Sequence, residues 1–548
     1  MRIALLQINV AFGKPELNSK AIEEAYLEGI RLGADLVVAP ELAVLGCHPR
    51  VWQLSADLLH SVEEESHRLR TITGAVPLIF GTCISNDLSN LSNELWWCEH
   101  GRVRTRVFQS LGFDLDTHNG CRTTQYLPIE YSGQKIGLVI GEDQPSLFAH
   151  QVEAGATIII NVVASVCSVG SYVPSSIKPS WALPPKSQQR WDFLSEQSKR
   201  YNIPIVFINR VGADGSLLFD GESCLIQPSG KTQRLNVFDE NVCIVDTEKD
   251  GSHWNYESSK EGQWLCKALT MGIKDNLLQQ NIESVVIGLS GGIDSSVLTA
   301  LVSQAISPEK VLGVAIPTRF TSRESILLAK LQAQRLGIQY IEIDAEPPFS
   351  GAVTSLQTVL PDRQFCITDE NLQSRCRAMI LLALTSEPII HQRMGTNRCA
   401  VVNSGNKSEI ATGYFTMYGD GIGAFGPLGD LLKARVYTVA RELGDLIPLE
   451  IIQRQPTAEL RPNQTDESSL IPYRQLDAIL GTLIEANRPY DLIFYDLEEV
   501  LEGQDLIEAR ATLPRIQSLI KNSEFKRRQL PYVLNVTNRT TGANQFQL

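Results

Sequence analysis

The run Val285-Val286-Ile287 passes directly into Gly288-Leu289-Ser290-Gly291-Gly292-Ile293-Asp294-Ser295-Ser296, and Val297-Leu298 carry on as a helix. A buried strand that turns through small residues into a helix commits this part of the chain to an α/β layout. Successive N–H groups at such a loop and helix start form a cradle for an anion. No lysine follows the glycines, so this is not the Walker phosphate loop. Asp294 can hold Mg²⁺, while Ser290, Ser295 and the loop amides can hold phosphate oxygens. An ordinary glycine-rich turn would also fit this string alone, so the remaining motifs have to decide.

Around the loop, strand and helix signals alternate. A helix is expected over residues 263–279, a strand over 285–289 and a helix over 295–305. A strand over 311–316, a helix over 322–336 and a strand over 338–343 follow. This order predicts a doubly wound parallel sheet with its ligand at the carboxyl ends of the strands. The first half carries Val/Ile-rich strand signals at 3–8, 34–39, 78–82, 136–140, 156–163 and 203–209, a helix over 18–32 and a hairpin turn at Ser229-Gly230-Lys231. Residues 246–261 are polar and read as a linker between a domain over 1–245 and one over 262–548. A chain of 548 residues exceeds a single core.

Composition narrows the partners. A net charge of −13 argues against broad nucleic-acid or anionic-membrane binding. The 11 cysteines lack C-x-x-C spacing, so neither a zinc site nor a disulfide framework is suggested, and a reducing cytoplasm is expected. Residues 1–8 read as a first strand rather than an export signal, and no run is long enough to span a bilayer.

Further motifs follow the loop in order. Glu370-Asn371-Leu372-Gln373-Ser374-Arg375-Cys376-Arg377 opens a helix, on which Arg375 and Arg377 fall on different faces, so that one serves the ligand and one the structure. Then come Asn403-Ser404-Gly405-Asn406-Lys407-Ser408-Glu409, the string from Gly413 to Gly421 with Asp420, Lys433, Pro456-Thr457-Ala458-Glu459-Leu460-Arg461 running on to Asp466-Glu467, and Glu524-Phe525-Lys526-Arg527-Arg528. The Ser290–Ser295 loop resembles that of ATP pyrophosphatases. Together with the later motifs, residues 260–531 resemble the synthetase domain of glutamine-dependent NAD synthetases, a Rossmann-like fold.

That resemblance implies ATP as co-substrate, Mg²⁺ as cofactor, and deamido-NAD as the carboxylate that is adenylated and then amidated. It places Gly288, Ser290, Gly291, Gly292, Asp294, Ser295, Ser296 and Ser404 at ATP, with Lys433 reaching phosphate. It places Asn371, Arg375, Glu409, Asp420 and Lys526 at the acceptor, and Asp294 and Glu409 at the metal. Glu459 and Arg461 are equally readable as an ion pair that orders a loop, and Lys526-Arg527-Arg528 as a solvated basic tail. Ala378, where the family carries glycine, and an altered stretch over 385–398 bear on which acceptor is used.

Residues 1–245 resemble a nitrilase-type amidase, implying an α-β-β-α sandwich. The carrying strings are residues 1–8, 33–42 ending in Pro40-Glu41-Leu42, 136–143, and 203–223 with Asn209, Asp220 and Gly221. Such domains hydrolyse glutamine with a glutamate base, a lysine and a cysteine nucleophile, and pass ammonia on. Glu41 stands at the glutamate position, as a vestige. The cysteine string reads Val139-Ile140-Gly141-Glu142-Asp143, so Gly141 replaces the nucleophile. The lysine position holds Gln109, or Phe108 with a shift of one, and no lysine occurs between Lys20 and Lys135. Cys47, Cys121 and Cys167 are possible substitutes, though a free buried cysteine is more often a packing residue.

The leading expectation is an AMP-forming, ammonia-dependent ligase with a degenerate glutaminase domain, assembled as a homo-oligomer, dimeric or larger. Three others stay open. One is a ligase for a different carboxylate or amine, one is a silent nucleotide-binding paralogue, and one receives ammonia from a separate amidase subunit. The silent paralogue is disfavoured by the complete Ser290–Ser296 and Asn406–Glu409 strings.

Overall fold

The computed structural model describes residues 1–46, 55–87, 90–111, 122–123, 127–174, 178–253, 260–462, 464 and 471–540. Two compact units emerge, one of Met1–Cys167 and Lys186–Tyr256, the other of Ser168–Pro185 and Glu257–Leu548.

The first unit holds two seven-stranded sheets. One combines β1 (Arg2–Gln7), β2 (Leu36–Val38), β3 (Leu78–Asp87), β4 (Asn90–Glu99), β5 (Arg102–Leu111) and β6 (Arg122–Thr123) with a strand from far along the chain, Asn241–Asp246, which pairs antiparallel with β1. The other contains β7 (Ile129–Tyr131), β8 (Gln134–Ile140), β9 (Ile158–Val163) and β10 (Ile205–Asn209), followed by Cys224–Ile226, Lys231–Arg234 and the edge strand Ser252–His253. That edge strand lies within the polar stretch 246–261. The Ser229–Lys231 turn closes the expected hairpin.

Alternating side chains build the layers. Ile3 and Leu5 of β1 enter the core between the sheets, with Ile158, Ile160 and Val206 from the other side. Ala4 and Leu6 face outward under helices α1 (Pro15–Arg31) and α2 (Ala56–Thr71). Ile159 and Val163 face outward under α3 (Pro145–Glu153) and α4 (Lys186–Tyr201). This is the α-β-β-α sandwich. Strands covered on both faces read as continuous apolar runs, which is why they were legible. The β4–β5 hairpin was not among the expected strands. Arg102, Arg104 and Arg106 alternate outward along it and dilute its apolar signal.

In the second unit, α5 (Glu261–Gln279) precedes a parallel sheet of β11 (Ser284–Gly288), β12 (Val311–Ala315), β13 (Gln339–Glu342) and β14 (Cys399–Val401), ordered β13-β12-β11-β14. Helices α6 (Ile293–Ala305) and α7 (Arg323–Leu336) make the first two crossovers. The return from β13 to β14 runs through α8 (Glu346–Val359), α9 (Ile367–Leu384) and α10 (Pro388–Met394). Right-handed crossovers put these two groups on opposite faces. Strand order reverses between β11 and β14, and there a crevice opens beyond the strand ends. The altered stretch 385–398 is the extra helix α10, closed by Gly395 in the left-handed region at φ +66°.

Beyond β14 come α11 (Lys407–Thr412), α12 (Lys433–Leu443), α13 (Leu449–Gln453) and α14 (Tyr473–Leu480), which runs into a π-helical turn, Gly481–Glu485. Ser168–Pro185 packs here despite its early place in the chain. Gly170 O accepts from Arg435 Nη2 at 2.6 Å, Tyr172 N–H donates to Glu485 at 2.7 Å, and Trp181 is buried beside Leu476 and Ile479.

Candidate functional site

A cavity of about 470 Å³ occupies the crevice, lined by Gly288–Ser290 at the end of β11, Val314–Pro317 at the end of β12 and Val402–Gly405 after β14. Gly291 has φ +74°, and a Cβ there would stand 2.4 Å from Ser325 O, so the loop closes only with glycine. Ser290 Oγ lies 3.0 Å from Ser295 Oγ and accepts from Gly292 N–H at 3.2 Å. No side chain caps α6, whose N-cap is Gly292, so the N–H groups of its first turn and the helix dipole are left for an anion.

Three helix starts meet at one cation. Lys433, first residue of α12 and 1% exposed, places Nζ 2.5 Å from Asp294 Oδ2 and 3.4 Å from Glu409 Oε1. Asn406 Nδ2 donates to Asp294 Oδ1 at 2.9 Å, while Asn406 and Glu409 form the capping box of α11. The Tyr473 ring lies 5.0 Å from the same ammonium. Two carboxylates converging on one point also make the hard-oxygen set that Mg²⁺ prefers.

On the opposite wall, Asn371 Oδ1 accepts from Thr416 Oγ1 at 2.9 Å, and Asp420 accepts from Ser374 Oγ at 2.7 Å and Thr416 N–H at 2.9 Å. Lys526 Nζ donates to the carbonyls of Gly413 and Phe415, each at 3.0 Å. Burial holds its ammonium below the ordinary lysine range. It is therefore a built part of the wall rather than a solvated tail, although Arg528 beside it is exposed.

Not every expected residue reaches the cavity. Gly288, Ser290, Gly292, Asp294, Ser295, Ser404, Asn371, Glu409, Asp420, Lys433 and Lys526 line it, whereas Gly291 and Ser296 are buried behind the loop. Arg375 is exposed and donates to Met417 O at 3.2 Å, while Arg377 lines the cavity and donates to Ile316 O at 3.0 Å. Residues two apart on a helix point about 200° away from each other, so one helix cannot present both. The Glu459–Arg461 pair does not form. Glu459 binds Arg454 at 2.8 Å and the Ser325 hydroxyl at 2.9 Å, while Arg461 reaches Glu370 at 3.5 Å. Arg454 and Ser325 had no motif to mark them.

In the first unit, Glu41 is buried and doubly held. Asn93 Nδ2 donates to Oε1 at 2.5 Å and Ala164 N–H to Oε2 at 2.6 Å. Gly141, at φ +84°, donates its N–H to Val162 O at 3.0 Å, so both residues abut the end of β9. Backbone register sets residue 109 opposite Asn93, the partner of Glu41, and residue 108 opposite Glu94. Glu142 contacts the Ser165 hydroxyl and Lys186 Nζ, the latter at 3.3 Å. Cys167 is buried, and desolvation pushes its thiol well above the usual range. Cys47 and Cys121 lie outside the described residues.

A sequence profile described as NAD synthase matches residues 265–530. The glutamine-dependent NAD(+) synthetase of Xanthomonas campestris pv. campestris is 31% identical over 99% of this chain and 96% of its own. That of Thermotoga maritima is 30% identical over 99% and 97%. Among solved structures, the glutamine-dependent NAD+ synthetase of Acinetobacter baumannii, in complex with ADP, superposes with a TM-score of 0.73 at 25% identity, covering 100% of this chain and 97% of that one. The Cytophaga hutchinsonii enzyme shares the fold, with a TM-score of 0.77 at 19% identity over the same shares. The two-unit architecture, the cavity at the sheet's switch point and these full-length likenesses agree: the chain belongs to the glutamine-dependent NAD(+) synthetase family of carbon–nitrogen ligases.

Proposed function

We propose that this chain converts deamido-NAD to NAD with ATP and free ammonia, through an acyl-adenylate, and that its first unit is a glutaminase that has lost its nucleophile. The observation that carries the synthetase half is the meeting of Asp294, Glu409 and Lys433 beside an uncapped helix start. A carboxylate oxygen of the acceptor attacks the α-phosphorus of ATP, and pyrophosphate leaves. The lone pair of ammonia then attacks the acyl carbon, AMP departs, and one proton is released.

Lys433 and the α6 N–H groups stabilise charge on the leaving pyrophosphate. Asp294 and Glu409 would hold Mg²⁺, which supplies further neutralisation of that charge. Asn371, Asp420 and Lys526 hold the acceptor. The loss of glutaminase chemistry is supported by Gly141 at the nucleophile position and by the register that sets Gln109, rather than Phe108, across from Asn93.

The testing experiment supplies ATP, Mg²⁺, ammonium and deamido-NAD and identifies products by mass. NAD, AMP and pyrophosphate in equal amounts are expected. A second reading, an acceptor other than deamido-NAD, is favoured by Ala378, which lines the cavity where the family carries glycine. An amide on another carboxylate, with none on deamido-NAD, would establish it.

Two substitutions probe the walls. Lys526→Ala removes a charge-assisted hydrogen-bond donor worth about 1.5–3 kcal/mol. The KM for the acceptor is expected to rise about tenfold to a hundredfold in initial-rate measurements, with the KM for ATP little changed. Gly291→Ala forces a side chain onto Ser325 O at a left-handed backbone position. At about 1–2 kcal/mol for that backbone alone, ATP binding is expected to weaken roughly tenfold or more by equilibrium dialysis.

A further inference from the structure

We infer that Asp477 is a positioning residue for Lys433; the inference rests on the reading of Lys433 as the group that meets phosphate. Helix α12 begins with no side-chain cap of its own at Leu432. Its first two N–H groups are instead taken by other helices. Lys433 N–H donates to Ser408 Oγ of α11 at 2.9 Å, and Ala434 N–H donates to Asp477 Oδ2 of α14 at 2.8 Å. Ser408 Oγ in turn donates to Asp477 Oδ1 at 2.5 Å. Asp477 and Ser408 are fully buried, so each bond is shielded from water.

One carboxylate thus ties the start of α12 to the start of α11, the helix that carries Glu409. The same helix α14 reaches Lys433 a second time. Tyr473, four residues before Asp477 and so on the same helix face, lies under the ammonium. Backbone and side chain of Lys433 are therefore both located by α14, and Nζ falls between Asp294 and Glu409 as a consequence. No motif in the chain pointed to Asp477, because its partners, the Ser408 hydroxyl and Ala434 N–H, lie far away in sequence.

Burial pushes the Asp477 carboxyl up to about 7, against the opposing bonds from Ser408 and Ala434. Without it, α12 loses an N-terminal anchor and Lys433 is free to rotate away from the two carboxylates, with no change in the acceptor wall.

The test compares Asp477→Ala, Asp477→Asn, Lys433→Ala and the double variant Asp477→Ala/Lys433→Ala in the full chain. It measures ammonia-dependent kcat, both KM values, ATP binding by equilibrium dialysis, and thermal melting. Asp477→Ala is expected to lower kcat about tenfold or more with the acceptor KM within about twofold, and Asp477→Asn, which keeps an oxygen for Ala434 N–H, to recover part of the loss. In the Lys433→Ala background, Asp477→Ala should weaken ATP binding no further, since the two act through one group.

Additive losses, or full kcat in both Asp477 variants alongside a lowered melting temperature, would overturn the inference. If Asp477→Ala does not fold, Asp477→Asn and Ser408→Ala carry the same comparison. Unimpaired ATP binding and turnover in Lys433→Ala would instead overturn the reading of the site itself.

Discussion

Given ATP, Mg²⁺, deamido-NAD and glutamine in ammonia-free buffer, the chain is expected to make no NAD and to release no glutamate, while ammonium restores synthesis. A glutamine carbonyl beside Glu41 meets Gly141, which has no side chain to attack it. No lysine exists between Lys20 and Lys135 to steady an oxyanion. Nucleophile, base and oxyanion partner act as a unit, and losing the nucleophile alone costs on the order of 10⁶-fold in turnover. Asn93 and Ala164 N–H hold the Glu41 carboxylate at the end of β9.

Gly141→Cys is not expected to revive glutaminase activity. Residue 141 has φ +84°, which an L side chain tolerates poorly, and the oxyanion partner would still be missing. The buried thiol of Cys167 is held well above the usual range and is mostly protonated at neutral pH, so Cys167→Ser should leave nitrogen use unchanged. With ammonium the rate should rise with pH as NH₃ becomes available. Glutamate formed in step with NAD, and abolished by Cys167→Ser, would reverse this account of the first unit.

Asp294→Ala carries the second large effect. The substitution deletes a carboxylate that would hold Mg²⁺, and it removes the nearer of the two carboxylates that flank the buried Lys433 ammonium among the described residues, Glu409 standing at 3.4 Å. Turnover is expected to fall at least about 10²–10³-fold, the scale of losing one preorganised charge partner. The fold should survive with a cooperative melt, because Asp294 lies at a cavity edge with its side chain 19% exposed rather than in the apolar core. The wild-type chain should release AMP and pyrophosphate as ATP is consumed. ADP and phosphate as the sole nucleotide products would end the adenylation reading.

Local chemistry made much of this legible. The Ser290–Ser295 loop announced itself because a strand, three glycines and a helix start are contiguous and the backbone supplies the site. Continuous apolar runs revealed the inner strands, since strands covered on both faces leave no polar alternation to confuse them. The glycine at residue 141 and the lack of any lysine between Lys20 and Lys135 were readable directly, because residue identity needs no fold.

Other features were invisible in one dimension. Which of Arg375 and Arg377 faces the cavity depends on how α9 is rotated against the sheet, and that rotation is set by packing. Glu459 chose Arg454 over Arg461 because loop curvature, not spacing, brings charges together. Ser168–Pro185 joined the second unit through main-chain bonds to Arg435 and Glu485, and backbone groups carry no sequence signature. That residue 109 pairs with Asn93 and residue 108 with Glu94 is a matter of strand register, a relation between distant segments. The chain's own order thus determined the loop sequence, the layer pattern and the glycine at residue 141. Tertiary structure alone decided which helix starts converge on Lys433, because that convergence rests on bonds such as Asp477 to Ala434, 43 residues apart.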